Sequence, residues 1–286
     1  MDVTLARTFL AISDGRSFKA AAEHLNVTQS TISLRVKTLE SLLGRSLFER
    51  GKSGAVLTPA GQQFQRHAIA MLRVWQHARL DVALSDEHSD HLAVGGQVSV
   101  WDGFLLPWVA QLRSEYPKIA VTASTATSGI LVERIAEGTL DLAVVYRAQA
   151  RPGLTIEHIF DDELVLVTGT GEPEKEPGEN YVYVNWGPEF AADHADAYPE
   201  LDTPGLQFEL GALAISYLFD YRASGYFPMR VAKPHMEESR LEIVKRARRF
   251  VYPVFAVYAE DHDDDAFVPL LQSLRARANV VAQISS

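Results

Sequence analysis

Residues 17–39, SFKAAAEHLNVTQSTISLRVKTL, constrain the fold of this chain more than any other segment. They predict two short helices joined by a tight turn. Ser17 can cap the first helix, because its hydroxyl can accept hydrogen bonds from the free amides of the first turn. Asn26 tolerates the left-handed backbone that such a turn needs, and Thr28 can cap the second helix. The pattern therefore predicts a helical hairpin of defined geometry.

The second helix has one apolar and one polar face. Its apolar residues recur at steps of four and three, at Ile32, Val36 and Leu39, and should face inward. The residues predicted to face outward are Gln29, Ser30, Thr31, Ser33, Arg35 and Lys37. Glutamine and hydroxyl side chains can contact base edges, and basic side chains neutralise phosphates. This favours a helix-turn-helix with its second helix in the major groove, and the alternative is a hairpin with a solvated polar face.

Residues 43–64, LGRSLFERGKSGAVLTPAGQQF, predict a two-stranded wing and the start of another helix. The wing would turn at residues 51–54, and Pro59 suits the first position of a helix that begins at Thr58. Arg50 and Lys52 would lie along the phosphates. Together with Ser17, Thr28 and the outward residues of the second helix, they complete the predicted DNA-binding set.

The run AAEHLNVTQSTISLRVKTLESLLGRSLFER, followed by LTPAG, resembles the amino-terminal signature of the LysR-type transcriptional regulators. Leu34 departs from the pattern, because the family usually has a polar or basic residue there. The resemblance implies a regulator without enzymatic activity or cofactor, which binds double-stranded operator DNA as a homodimer or homotetramer. It implies contact with RNA polymerase if the protein activates transcription.

Composition agrees with a multidomain protein outside the membrane. The 286 residues suit two or three domains. The chain has no cysteine, no apolar run of membrane-spanning length and no export signal, so the expected location is the cytoplasm. Net charge is −10, but residues 1–85 hold 11 Lys or Arg and 6 Asp or Glu, against 16 and 31 in the remainder. A basic module on an acidic body suits a DNA reader attached to a domain with another task.

A long helix is predicted from about residue 58 to about residue 84. Its apolar residues alternate at four and three: Phe64, Ala68, Met71, Trp75, Ala78 and Val82. This heptad seam is typical of paired helices and predicts a dimerisation arm. The alternative is packing on the helix's own domain. The polar residues 85–91, SDEHSDH, predict a hinge.

From Leu92 onward, strands alternate with helices, which predicts a mostly parallel sheet and two subdomains with a cleft between them. Helices are expected at 104–116, 212–222 and 237–249, and a strand over YFPMRVA, residues 226–232. LVERIAEGTLDLAVV resembles the LysR effector domain, which is similar to a periplasmic binding protein. SVWDGFLLPW and NWGPEF resemble the HdfR-like regulators within that family, which are associated with control of flagellar genes.

The expected fold is thus an α+β multidomain chain with a winged helix-turn-helix (1–58), a linker helix and hinge (59–91) and an α/β effector domain (92–286). By the resemblance, the chain would cross to the second subdomain near 162 and return near 264. The first subdomain would hold about 92–162 and 265–286, and the second about 163–264.

Ligands of open α/β sheets bind beyond the carboxyl ends of strands, near helix amino termini. That rule selects Ser99, Val100, Trp101, Thr125, Thr127, Ser128, Tyr146, Asn185, Trp186 and Tyr226 as effector-binding candidates. Free amides and hydroxyls favour a small anionic or polar ligand such as a carboxylate, and the aromatic rings would supply apolar walls. The alternative is that the hydroxyl residues cap helices and the aromatic residues belong to the core.

Other chemistry finds weaker support in the sequence. His262 in EDHDDD, and His194 with Asp193 and Asp196, lack the regular spacing of metal ligands, so no metal site is predicted. Phosphate-loop, GxSxG and HExxH patterns are absent from the sequence, and nothing nominates a Ser/His/Asp triad. Two rival functions stay open: an enzyme or carrier on the same α/β body, and a repressor that needs no effector.

Overall fold

The computed structural model describes residues 2–15, 17–51, 54–83, 88–169, 177–201, 205–260 and 267–284. The N-terminal module comprises three helices and a two-stranded wing. Its elements are α1 (Val3–Gly15), α2 (Phe18–His24), α3 (Gln29–Leu43), β1 (Phe48–Gly51) and β2 (Gly54–Leu57). Phe9 of α1 is fully buried and lies 5.0 Å from Phe64, ring centre to ring centre, in an edge-on contact. This aromatic contact joins the module to the helix that follows.

That helix is α4 (Pro59–Ala83), and its predicted seam divides into two halves. Phe64 and Ala68 are buried in the core of the N-terminal module itself, so this half is not a dimer surface. Trp75 and Val82 are 46% and 89% exposed. The apolar residues keep one regular spacing along α4, but only those in its first half pack against the N-terminal module. The second half extends beyond the module, so its apolar residues are exposed. Residues 85–87 of the predicted hinge lie outside the described residues.

The C-terminal domain, residues 88–284, alternates strands and helices. Its strands are β3 (Asp90–Gly96), β4 (Ile119–Thr125), β5 (Leu142–Val145), β6 (Leu154–Thr168), β7 (Tyr183–Val184), β8 (Gln207–Phe208), β9 (Ser224–Pro228), β10 (Glu242–Ile243) and β11 (Phe250–Ala259). Its helices are α5 (Val98–Val100), α6 (Leu106–Glu115), α7 (Ser128–Ala136), α8 (Pro188–Ala197), α9 (Gly211–Tyr221), α10 (Met229–Glu237) and α11 (Phe267–Ile284). Between α5 and α6, the irregular segment Trp101–Leu105 contains non-helical backbone at Asp102 and Gly103.

The principal sheet is mixed rather than mostly parallel. Strand β3 pairs in parallel with β4 and β5, whereas β11 runs antiparallel to both β5 and β6. Strand β6 continues past β11 to pair with β9 and β10. One long strand therefore belongs to both subdomains. β11 already pairs with β5 at Phe255–Tyr258, so the chain returns to the first subdomain before residue 255 and not near 264.

Two predicted elements near residue 230 were wrong. The segment YFPMRVA is not one strand, because β9 ends at Pro228 and α10 begins at Met229. Proline has no amide hydrogen for a further ladder bond, and it is well placed at a helix start. The helix expected at 237–249 is also wrong, because α10 ends at Glu237 and Ser239 has a φ of 58°. The short strand β10 occupies part of that range.

The N-terminal module and α4 pack directly on the C-terminal domain. Ala136 and Ala259 belong to the same buried cluster as Leu5 and Phe9 of α1. Gly138, just after α7, approaches the α4 backbone so closely that an added Cβ would lie 2.6 Å from Arg73 Cα. The two parts thus share one apolar contact, with glycine at its tightest point.

Candidate nucleic-acid interface and cleft

Helix caps position the two helices of the candidate nucleic-acid interface. The Ser17 hydroxyl accepts a hydrogen bond from the Lys19 amide at 3.2 Å. Asn26 has a φ of 53°, the left-handed backbone expected at the turn. The Thr28 hydroxyl accepts from the Thr31 amide at 3.2 Å and so starts α3. Ser17 and Thr28 therefore fix the residues at which α2 and α3 begin.

Helix α3 turns its apolar side inward and its polar side to solvent. Ile32, Val36 and Leu39 are buried. Of the predicted contacts, Thr28, Gln29, Ser30 and Lys37 are exposed, and Thr31, Ser33 and Arg35 are partly buried. Leu34 is 66% exposed and places an apolar group on the same surface. The exposed first turn can present an amide and hydroxyls to base edges.

Arg35 also has a role within the module. Its Nη1 donates to the Thr8 hydroxyl on α1 at 3.4 Å, and Thr8 in turn donates to the Thr4 carbonyl at 2.8 Å. Arg35 was predicted to hold phosphates, and the structure gives its guanidinium an intramolecular partner as well. Part of its contribution is therefore to hold α3 against α1.

The wing is attached to α3 through a residue that the sequence interpretation missed. Glu40 Oε1 accepts from the Leu47 amide at 2.7 Å and from the Phe48 amide at 3.3 Å. These bonds fix the start of β1 on α3. The Arg50 backbone pairs with Ala55 across the wing. The Arg50 side chain and all of Lys52 lie outside the described residues.

A cavity of about 1040 Å³ lies beyond the carboxyl ends of β3 and β4. Six of the predicted effector-binding residues line it: Ser99, Thr125, Thr127, Ser128, Asn185 and Trp186. Gln97, Arg147, Gly187 and Glu189 also line it, and the sequence interpretation missed all four. The structure thus brings strand ends from the first subdomain opposite the start of α8 in the second.

Four predicted effector residues lie elsewhere, among the core packing. Val100 is fully buried, and the Trp101 indole donates to the Gly96 carbonyl at 3.2 Å. Tyr226 is fully buried, and its hydroxyl donates to the Arg248 carbonyl at 2.8 Å. Tyr146 is described below. The polar groups of Trp101, Tyr146 and Tyr226 therefore have partners inside the domain, and Tyr226 lies in the middle of β9.

The N-terminal module and the first turns of α4 supply one wall of the same cavity. The wall consists of Ser13, Asp14, Ala55, Val56, Leu57, Gln62 and Gln65. These residues come from the end of α1, the wing strand β2 and the first turns of α4. A ligand in this space would therefore lie beside the module that carries the recognition helix α3.

Charged side chains cross the boundary at the edge of the cavity. Arg151 Nη2 lies 3.1 Å from Asp14 Oδ1, and His24 Nε2 lies 3.3 Å from Glu137 Oε1. Burial raises the pKa of Asp14 to about 6, with Arg151 opposing the rise and Glu133 and Glu137 adding to it. Because burial disfavours the ionised form of Asp14, the stability of the fold should fall as the pH rises from 3.8, the ordinary pKa of the group, to about 6, whereas the ion pair with Arg151 forms once Asp14 has ionised.

No metal site was predicted, and among the described residues one group has ligand-like spacing. Ligand atoms of His24, Glu133 and Glu137 lie within 4.8 Å of one another. His194 is unsuited to metal, because it is buried and shares a 2.8 Å hydrogen bond with the Tyr181 hydroxyl. Burial lowers the pKa of His194 and keeps the ring neutral. His262 lies outside the described residues.

A buried ion pair beneath the cavity joins the two subdomains. Arg230 Nη2 lies 2.8 Å from Asp162 Oδ2 and 2.6 Å from the Ser99 carbonyl, and Nη1 donates to the Asp102 carbonyl. The Tyr146 hydroxyl donates to Asp162 Oδ2 at 2.6 Å. Burial, and then the Asp162 charge, raises the pKa of Tyr146, so the phenol stays protonated. Arg230 is the second residue of α10, whereas Ser99 lies beside the cavity.

Comparison with known families matches both parts of the chain. Residues 3–62 match the bacterial regulatory helix-turn-helix protein of the lysR family, and residues 85–279 match the LysR substrate binding domain. The HTH-type transcriptional regulator HdfR of Yersinia enterocolitica is 29% identical, over 99% of this chain and 98% of the relative. HdfR of Escherichia coli K12 is 28% identical, over 94% and 95%.

Solved structures share the fold. Full-length LysG from Corynebacterium glutamicum, with bound effector Arg, has a TM-score of 0.62 at 18% identity and covers 98% of this chain and 99% of its own. ArgP from Mycobacterium tuberculosis has a TM-score of 0.60 at 17% identity and covers 97% of each chain. Among the described residues, no helix combines the length and the apolar character needed to cross a membrane.

Proposed function

The chain belongs to the LysR family of bacterial transcriptional regulators, and we propose from this premise how its two sites act together. It is a DNA-binding regulator of transcription, as are its HdfR relatives. In our proposal, the exposed face of α3 reads an operator, and a small polar molecule in the cleft changes that binding. RNA polymerase is a further partner if the protein activates. We propose the division into residues 1–58, 59–91 and 92–286 for these tasks.

The shared cavity is the observation that carries this proposal. Asp14 of the N-terminal module and Gln65 of α4 line it together with Ser99 and Thr127 of the C-terminal domain. A ligand that fits one relative position of the two parts better than another shifts the population toward that position. A shift of about 1–3 kcal/mol is sufficient for regulation.

This proposal is tested on DNA from upstream of the protein's own gene. Footprinting and fluorescence anisotropy would measure affinity with and without compounds that raise the thermal stability of the purified protein. We expect a protected two-part site whose affinity changes with a bound compound. An unchanged footprint at saturation would support the effector-independent repressor, and absence of sequence-specific binding would support the enzyme or carrier.

Two variants of α3 should distinguish residues that read bases from residues that bind phosphates. Gln29→Ala should lower discrimination between operator and altered operator by about 1–3 kcal/mol. Lys37→Ala should weaken binding to all sequences alike. It should also reduce the slope of log affinity against log salt concentration by about one unit. Anisotropy titrations over a salt series would measure both effects, with Lys118→Ala on the C-terminal domain as the control. Unchanged binding by both α3 variants would show that α3 is not the recognition helix.

We propose that the exposed half of α4 pairs with a second copy of the chain. Val74, Trp75, Ala78 and Val82 are exposed apolar positions spaced along this half. Trp75→Glu should therefore dissociate or weaken the dimer, because it places like charges opposite each other across a two-fold axis. Sedimentation velocity would measure this, with Ser216→Glu on α9 as the control. A dimer of wild-type stability in Trp75→Glu would exclude this surface.

A further inference from the structure

One buried carboxylate oxygen in the cleft has no hydrogen-bond partner among the described residues. Glu189 lies in the first turn of α8 and lines the cavity. Among the described residues, its Oε2 accepts no hydrogen bond, although the atom is buried. A buried charged oxygen without a donor is unfavourable. A ligand that carries a cationic donor would remove this cost.

A hydrogen-bond donor lies near the same space as this carboxylate. Gln97 Oε1 accepts from the Tyr146 amide at 2.7 Å, which orients the carboxamide and leaves Nε2 as a donor. A Cβ added to Gly187 would lie 3.6 Å from Glu189 Oε2 and 3.7 Å from Gln97 Nε2. Gly187 has a φ of 118°, which disfavours any other residue. Because Gly187 has no side chain, a small open space remains between the acceptor Glu189 Oε2 and the donor Gln97 Nε2.

A helix start in the lining of the cavity favours negative charge. Helix α7 begins after Thr127, whose side chain makes no capping hydrogen bond. Its first-turn residues Ser128 and Gly129 line the cavity, and a helix amino terminus carries a partial positive charge. This end alone would accept many anions. The negative charge of Glu189, whose Oε2 has no hydrogen-bond donor among the described residues, makes the site unfavourable for a ligand that is only negative.

We propose that the cleft recognises the zwitterionic head group of an α-amino acid. Its ammonium group would donate to Glu189 Oε2, and its carboxylate would accept from Gln97 Nε2 and the first amides of α7. An atom at the position of the added Gly187 Cβ would lie within 3.7 Å of both Glu189 Oε2 and Gln97 Nε2, so one small head group can reach both side chains. The remaining volume accommodates the side chain. This inference rests on the proposed effector site and specifies its ligand class.

The first test compares ligands on the wild-type, full-length protein. Thermal shift with the standard L-amino acids, followed by calorimetry, should identify at least one that binds. Its 2-hydroxy acid analogue and its decarboxylated amine should each bind about tenfold or more weakly, because each loses one charge-assisted hydrogen bond. Absence of binding by every amino acid would overturn the proposal, as would equal affinity for the hydroxy acid.

The second test assigns the ammonium site. Glu189→Gln keeps the size of the side chain and should weaken amino acid binding about tenfold, whereas the hydroxy acid should bind at least as well as before, because the repulsion of its charge is removed. Asp196→Asn removes a charge from the same helix away from the cavity and should change neither. Equal amino acid affinity in Glu189→Gln would overturn the assignment. If a simple carboxylate instead binds and alters operator affinity, the zwitterion proposal fails while the regulatory function stands.

Discussion

Replacement of Arg230 by methionine should lower the free energy of unfolding by about 3–5 kcal/mol, because it leaves a buried charge without its partner. Arg230 and Asp162 have fully buried side chains, 2.8 Å apart. The same guanidinium also satisfies the backbone carbonyls of Ser99 and Asp102. Chemical denaturation followed by circular dichroism would measure the loss.

Two further variants separate the ion pair from general effects. Arg275→Met removes an arginine that is 44% exposed from its pair with Glu157, and it should cost at most about 1 kcal/mol. The double variant Arg230→Met with Asp162→Leu should recover much of the loss, because no isolated charge remains. If Arg230→Met costs no more than Arg275→Met, the network does not hold the subdomains together.

The ion pair between Arg230 and Asp162 lies where it can restrain the geometry of the cleft. Asp162 lies in β6, the strand that the two subdomains share. Arg230 reaches from α10 to the carbonyl of Ser99, which lines the cavity. A change in the angle between the subdomains would have to move or break these bonds. The ion pair therefore restrains the cleft geometry that a ligand would select.

Local patterns explain why the N-terminal module was predicted well. The caps at Ser17 and Thr28, the turn at Asn26 and the apolar spacing of α3 all depend on residues close in sequence. The wing is also local, since β1 and β2 form a hairpin. Glu40 was missed because a charged residue on a helix gives no sign that it accepts two backbone amides from the following strand.

The cleft was predicted only in part, because its chemistry depends on contacts between distant segments. The strand-end rule correctly located Ser99 and Thr127 beside the cavity. It could not distinguish these residues from Tyr146, whose hydroxyl is taken by Asp162 across the fold. Arg230 was placed in a strand by an apolar run that Pro228 in fact divides. Glu189 gave no signal, because its lack of a partner is a property of the folded chain.

A Gly138→Ala substitution should disrupt the contact between α4 and the C-terminal domain. Gly138 has a φ of 69°, which costs an alanine about 1–2 kcal/mol. In addition, the new Cβ would lie 2.6 Å from Arg73 Cα and 2.7 Å from the Leu72 carbonyl carbon. These are backbone atoms of a continuous helix and cannot rotate aside as a side chain can. The helix must therefore move as a unit, and we expect a further loss of several kcal/mol or separation of the two parts.

Gly44→Ala is the matched control, because Gly44 has a φ of 67° and nothing within 4 Å of an added Cβ. It has the same backbone cost without the steric conflict, so the difference between the two variants isolates the contact between the parts. Thermal denaturation would give the stability difference, and hydrogen exchange at Leu72 and Arg73 would show whether α4 has lost protection. Operator footprinting would then report whether the spacing between half-sites depends on this contact. Equal losses in both variants, with unchanged exchange at α4, would mean that the N-terminal module does not rest on the C-terminal domain at Gly138. The wall that the two parts share would then no longer explain how a ligand bound in the cavity changes DNA binding by α3.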